Sequence, residues 1–565
     1  MAEKKLSVRL PLMIQDPMTA PESAAAPKAS KRKNEDTRTL VEGIIVSAEP
    51  NFRDFLDGPV TPKIAILDFD PKSGLLIKGA RFQYPSKGKK RGTYEFDEDD
   101  IYSDAFIQSS VLAAVLKTLR LFEDEEVLGR SVAWAFGAEQ IFVVPRAGEW
   151  ENAFYERDSH SLQFFYFKNP HDPQKVVYTA LSRDIVAHET GHAIIDGIAP
   201  TLYDALTLES LALHEAMADL TAVMTAFGSN ALTHRVLDQT GGSIREPTAF
   251  SSLASEFGTA LSQTGGANAL RSMWNDANLA SVEAEPHALS LVLSGGMYRL
   301  MNFLYETIWG KFNNEYSKSG YSLAVAAKLF QRFAFRALDF LPPGNVSFLD
   351  YARAVYAAER SATGTTGVEL SFLADELQRR GVLGNVKDIE VAIPTWKLDV
   401  DTRALYDSES EAYAFVARNR AQLNVPPDVP FVIAGRYHTR KNSPRSKDEN
   451  RLKEELIFKI SWEQIENDQF SPSYPATRRV MAGTTLVTDW NSGTIEAVLT
   501  SDLQLQKRAR DAMVRSLWQR GLLPPPNELR FEKSLLFGAP RVSVVGGHLH
   551  IHGLARLLHM RRGEE

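Results

Sequence analysis

His188, Glu189 and His192 lie in one short run, His188-Glu189-Thr190-Gly191-His192. Two histidines four apart on a helix project from one face, so both imidazoles can grip a single Zn²⁺. The glutamate beside the first can then act as a base on a water activated by the metal. Chance supplies such a run in on the order of one per cent of chains of this composition, so the motif needs supporting groups. A catalytic zinc takes three protein ligands and keeps one position open. The third ligand is expected on the next helix, about twenty to twenty-five residues on. There His214-Glu215-Ala216-Met217-Ala218-Asp219 supplies Glu215. Asp219, one turn later on the same face, is placed to accept the ring N–H of His188 and fix its tautomer. The chain contains no cysteine, so any zinc must use histidine and carboxylate.

The elements that must hold these groups follow from periodicity. The zinc-motif helix is expected over about residues 182–196, capped by Ser182 or Thr179 and closed by Gly197 and Pro200. Residues 104–123 carry Phe106, Val111, Val115, Leu119 and Phe122 at helical spacing. Strands are expected at 43–46, 63–67, 131–136, 140–144 and 152–167. From about 206 to 380 nearly everything reads as helix. Beyond Gly384, strand-like stretches at 431–434, 456–460, 483–487 and 494–499 alternate with charged loops. Residues 1–38, rich in Ala, Pro, Ser and Lys, read as a disordered tail. The chain of 565 residues is too long for one core. It divides into the tail (1–38), a lobe ending in the zinc helix (39–197), a helical lobe (198–384) and a C-terminal domain of unassigned role (385–565). No internal repeat is found.

Taken in order along the chain, these features resemble the thermolysin-like gluzincin metallopeptidases, whose zinc is held by two histidines and a glutamate. The segment Asp184-Ile185-Val186-Ala187-His188-Glu189-Thr190-Gly191-His192-Ala193 is similar to that family's zinc helix. Asn152-Ala153-Phe154-Tyr155 resembles its substrate-binding edge strand. Tyr203 stands at the spacing of an oxyanion-stabilising tyrosine. Ala269-Leu270-Arg271-Ser272-Met273 and Pro286-His287 match two further blocks. The resemblance covers roughly residues 100–310. It implies an α+β fold, with a two-lobe catalytic unit to which a mixed α/β C-terminal domain is appended. It also implies a zinc endopeptidase with Glu189, His287 and Tyr203 as catalytic groups and one zinc on His188, His192 and Glu215. Asn152, Ala153 and Arg271 would bind substrate backbone. Ile185 and Leu270 would line a pocket preferring an apolar residue after the scissile bond.

The chain departs from that family in several places. His214 precedes the third ligand where asparagine is common, so the partner of His192 is left open. Either Glu283 or Glu285 is a candidate to orient His287. Asp184 matches a calcium ligand, but Ala226 stands where a carboxylate would help, so the double calcium site is expected to be absent or degenerate. The run 95–100 reads as a solvated acidic segment, with a calcium loop the less favoured reading. No apolar signal core follows Met1, and no run of about 18 apolar residues occurs, so neither export by signal peptide nor membrane insertion is expected. Cytoplasmic residence is the default expectation, with export by a signal-independent route open. Net charge is −7, from 64 basic and 71 acidic side chains, which argues against a nucleic-acid surface. His548, His550 and His552 share one strand face and read as an exposed face rather than a metal site. The basic stretch 436–447 reads as a solvated loop. The expected partner is a peptide or protein substrate, and the C-terminal domain is a candidate for binding a further partner. A peptide-binding protein that keeps the fold without turnover is the competing class. An aminopeptidase ranks lower, because the Gly-x-Met-Glu-Asn run is lacking.

Overall fold

The structure is a computed structural model that describes residues 6–14, 16, 41–48, 54–86, 91–97, 100–245, 248–254, 258, 260, 270–443, 452–523 and 539–559. It is a mixed α/β fold. The first described element corrects the expectation of a disordered tail. Leu6–Met13 (β1) pairs antiparallel with Val41–Ala48 (β2) in one unbroken register, Leu6 opposite Ala48. Val8, Leu10 and Leu12 are fully buried and alternate at first with Ser7 and the exposed Arg9, while Pro11 and Met13 at the end of β1 are buried too. Most of the remaining tail lies outside the described residues.

Ile64–Ile66 (β3) opens a four-stranded sheet that flanks the site. Asp104–Glu123 (α1) follows, with all five expected apolar positions buried. It is long and apolar enough for a membrane span by composition, yet it is mostly packed inside the fold. Residues 131–136, expected as a strand, join no ladder. Their backbone is engaged by side chains instead: Val132 N donates to Glu123 Oε1 at 2.9 Å, and Lys63 Nζ donates to Val132 O at 2.9 Å. Ile141–Val144 (β4), Ala153–Glu156 (β5) and Ser161–Phe164 (β6) complete the sheet in the order β3-β4-β6-β5, which leaves β5 at the edge.

Arg183–Ile198 (α2) carries the His-Glu-x-x-His run. Ser182 caps it by accepting from Ile185 N, and Pro200 opens the turn that follows. Gly197 lies inside the helix, where a Cβ would meet Ala133 O at 2.1 Å. Leu208–Phe227 (α3), capped by Thr207, is buried along nearly its whole length and packs on α2. Gly191 permits that approach, since a Cβ there would sit 3.2 Å from Ala218 Cα. Pro286–Gly310 (α4) and Phe348–Thr363 (α5) belong to the helical region, but part of the stretch between α3 and α4 is irregular.

The C-terminal strands are Phe431–Asn442 (β7), Leu452–Asn467 (β8), Thr477–Asp489 (β9), Ile495–Thr500 (β10), Arg541–Val545 (β11) and His548–His552 (β12). They form one six-stranded sheet, β7-β8-β9-β12-β11 with β10 also on β9. This sheet is not separate from the rest. Ile457, Val487, Leu549, Ile551 and Leu554 belong to the same apolar cluster as Ile194 and Ile195 of α2. A second cluster, around Phe415, Phe458 and Leu486, lies on the other side of the sheet.

Candidate active site

Helical spacing does the first part of the assembly. On α2, His188 Nε2 and His192 Nε2 stand 3.0 Å apart. On α3, Glu215 and Asp219 occupy one face a turn apart. Packing α2 against α3 brings His192 Nε2 within 3.3 Å of Glu215 Oε1 and His188 Nε2 within 3.7 Å of Glu215 Oε2. Asp219 Oδ1 lies 3.0 Å from His188 Nδ1. The donor atoms of His188, His192 and Glu215 all fall within 4.8 Å of one another, the one such group found among the described residues. Glu215 is buried, and its Oε2 makes no hydrogen bond among the described residues. Burying a carboxylate oxygen without a hydrogen bond is costly. Two imidazole lone pairs and a carboxylate converging on one centre fit a zinc ion in donor type and number.

His214 supplies what the sequence left open. Its Nδ1 lies 2.7 Å from His192 Nδ1. If His192 offers its Nε2 lone pair to a metal, its Nδ1 carries the proton and donates to His214 Nδ1. His214 then holds its own proton on Nε2.

Glu189 faces the cleft from α2 and accepts from Tyr155 N of β5 at 3.0 Å. Burial, its largest influence, raises its pKa. His192 opposes this, the charge of Glu215 adds to it, and the Tyr155 N–H and Arg271 oppose it, leaving Glu189 at about 7. The same strand is locked to α2 from behind. Tyr155 Oη donates to Asp196 Oδ2 at 2.7 Å, and Arg157 Nε donates to the same oxygen at 2.8 Å.

His287 stands in the first turn of α4, where Pro286 suits the helix start. Glu285, not Glu283, orients it. The Glu285 carboxylate caps the helix by accepting from His287 N and Ala288 N, and it lies 2.6 Å from His287 Nδ1. Burial alone would raise the Glu285 carboxyl, but these bonds hold it down to about 2. A carboxylate can only accept, so Nδ1 carries a proton. The other ring nitrogen, Nε2, points toward Glu215 Oε2 at 3.6 Å. Burial disfavours the charged ring, but Glu215 and Glu285 outweigh it and raise the His287 pKa.

Arg271 sits on the short strand Arg271–Ser272, which pairs with Ser252–Leu253. Its Nη2 donates to Asp219 Oδ1 at 2.8 Å and lies 3.6 Å from Glu215 Oε2. A cleft of about 120 Å³ is lined by ten residues expected from the sequence: Asn152, Ala153, Ile185, His188, Glu189, His192, Glu215, Leu270, Arg271 and His287. Asp219 lies behind it. Tyr203 is not among the lining residues. Its ring packs between Tyr155, at 6.1 Å, and the Arg157 guanidinium, at 4.1 Å. Its hydroxyl is buried without a hydrogen bond of good geometry, and burial raises its pKa. Asp184 also lines the cleft, and its carboxylate is taken by Arg183 at 2.6 Å. Leu253, Ala254 and Leu558 line it too and were not anticipated. Leu253 reaches the cleft through its strand pairing with Arg271, and Leu558 from far along the chain; neither had a signal in the sequence. On β12, His548 Nδ1 lies 2.7 Å from Thr477 Oγ1, and His550 stacks on His552.

No protein-family model matches the chain, and no curated protein matches it. Nine chains among solved structures do. One is described as "Precursor of Protealysin, Metalloproteinase from Serratia proteamaculans". It is 13% identical, with 59% of this chain and 91% of that chain covered, at a TM-score of 0.35. That score is too low for the overlay to support an assignment, so function has to be read from the cleft residues.

Proposed function

We propose that the protein is a zinc-dependent endopeptidase, in which Glu189 is the general base. The observation that carries this reading is the convergence of His188 Nε2, His192 Nε2 and Glu215 beside a buried Glu189. When bound, zinc supplies an acidified water and a positive charge facing the substrate carbonyl. His192 and His188 offer lone pairs from Nε2, and Glu215 offers its carboxylate. Glu189 is held by the Tyr155 N–H on one oxygen, which leaves the other to take the proton of the attacking water and pass it to the leaving amine. His287, when its Nε2 carries a proton, donates from that nitrogen to the negative charge that develops on the carbonyl oxygen; such a donor is worth about 2.7–4 kcal/mol. Arg271 and the Asn152-Ala153 edge orient the substrate backbone, and an extended peptide adds beside β5. Ile185, Leu253 and Leu270 give the cleft apolar walls, which suits an apolar residue after the scissile bond.

One observation favours the competing class, a peptide-binding protein without turnover: Tyr203 does not reach the cleft. The test is cleavage of a mixed peptide library by the full chain loaded with zinc. The reading expects cuts before apolar residues, abolished by a chelator and restored by zinc. Binding of peptides without any cut would favour the competing class.

A further inference from the structure

The turn Leu554–His559 follows β12 and packs against β5, so it brings a distant part of the chain to the cleft. It is tied there at several points. Gly553 N donates to Asp204 Oδ1 at 2.6 Å, and Ala555 N donates to Tyr203 O at 3.0 Å. Arg556 Nε lies 3.3 Å from Glu156 Oε1 at the end of β5, and Arg541 of β11 pairs with Asp158 at 2.6 Å. Leu554, Ala555, Leu557 and Leu558 are buried, and Leu558 lines the same cleft as Asn152 and Ala153.

Two features make this more than packing. First, β5 is an edge strand whose only strand partner among the described residues is β6, and strand addition by a peptide needs such an edge. Second, the cleft holds about 120 Å³, whereas ligand pockets run to about 300–1,000 Å³. Leu558 contributes an apolar side chain to a cleft whose other apolar walls are Ile185, Leu253 and Leu270. That is the place an apolar substrate side chain would compete for. The polar ties are of a kind that can part: two hydrogen bonds donated by backbone N–H groups, one to the Asp204 side chain and one to Tyr203 O, and two partly exposed ion pairs, with side-chain exposures of 14% for Arg556 and 21% for Glu156 and higher for Arg541 and Asp158.

We infer that residues 553–559 form an autoinhibitory strap that covers the substrate edge of the cleft, with Leu558 as its plug. The inference rests on the peptidase reading. In the strapped state Leu558 takes up part of the cleft wall, and substrate binds to the fraction of molecules in which the strap has lifted.

The test compares the zinc-loaded full chain with Arg556→Glu, with Leu558→Ala, and with Arg556→Glu combined with Glu156→Arg. The last restores the ion pair with its charges exchanged. The readout is kcat/KM on an internally quenched peptide carrying an apolar residue after the scissile bond. If the open state is a minor one, both single variants gain at least about tenfold, and the exchanged pair returns toward wild type. Cleavage by wild type with no gain in either variant overturns the strap and leaves the peptidase reading standing. If none of the proteins cleaves, the peptidase reading has failed, and the strap is read by anisotropy with the same peptide, fluorescein-labelled. A Kd at least about tenfold lower in Arg556→Glu than in wild type and the exchanged pair supports it. Equal values overturn it.

Discussion

Glu215 and Asp339 are both fully buried carboxylates, and the difference between their surroundings separates a chemical site from a structural one. Asp339 closes its charge. Its Oδ1 accepts from Arg130 at 2.6 Å and its Oδ2 from the buried Lys441 at 3.1 Å, which ties the helical region to β7. Those cations hold the Asp339 carboxyl, which burial alone would raise, well below the usual range. Glu215 is also held low against burial, by His287, His192, His188 and Arg271. Yet its Oε2 makes no hydrogen bond among the described residues, and two imidazole nitrogens face the same centre. A structural cluster satisfies its own lone pairs, whereas a metal centre leaves them converging.

The largest expected effect breaks the comparison on the cleft side. Glu215→Ala removes a ligand, so elemental analysis should find zinc lost, and cleavage should fall to background, while the fold survives by circular dichroism. Next comes the structural side. Asp339→Asn takes the anion from the buried Arg130 and one of two from Lys441, whose other partner is Glu455 at 3.4 Å, which should cost about 3–5 kcal/mol in urea unfolding. The folded fraction should still bind zinc normally. If Asp339→Asn instead lost metal and kept its stability, the two clusters would not differ as described.

A smaller effect sharpens the cleft side. His214 is argued to accept the His192 Nδ1 proton, so His214→Ala should weaken zinc about 10–100-fold in a chelator competition. His214→Asn, which can still accept, should lose less. Equal affinities for wild type and His214→Ala would remove His214 from the account.

The smallest effect sharpens the structural side. Lys459 of β8 is buried and donates to Ile198 O at 3.2 Å, at the C-terminal end of the zinc helix, where a cation suits the dipole. Burial pushes its pKa down to about 8, with Asp339 opposing this and Arg130 and Lys441 adding to it. The folded pKa lies below the unfolded one, so between about pH 8 and the ordinary lysine value near 10.4 the unfolded chain holds the extra proton. Stability of wild type should therefore rise with pH across that window relative to Lys459→Met. Parallel curves would show that Lys459 is not buried in solution.

The parts legible in the sequence are those fixed by local spacing. His188, Glu189 and His192 follow from helical register, Glu215 from the spacing expected of a third ligand on the next helix, and Asp219 from its register with Glu215. His287 and Arg271 are implied by the resemblance to the thermolysin-like blocks, and both line the cleft. What stayed hidden depends on long-range packing. Leu558 reaches the cleft through the C-terminal sheet, and the Asp339 cluster joins residues from three distant segments. Tyr203 has the spacing of a cleft residue, but its ring is held by Arg157 and Tyr155, which no local pattern announces. The strand at 6–13 is a different kind of miss. Its alternation of Val8, Leu10 and Leu12 was present, but the composition of the surrounding tail masked it.

The central claim is that Glu189 does the proton work at a zinc held by His188, His192 and Glu215. Glu189→Gln tests it most directly, because the amide keeps the shape of the side chain and cannot act as a base. Zinc content and peptide cleavage are measured together in wild type and variant. The account predicts about one zinc per chain in both, and kcat lowered by about 10²–10⁴ in the variant. Wild-type protein without zinc, or equal cleavage by the two, would contradict it.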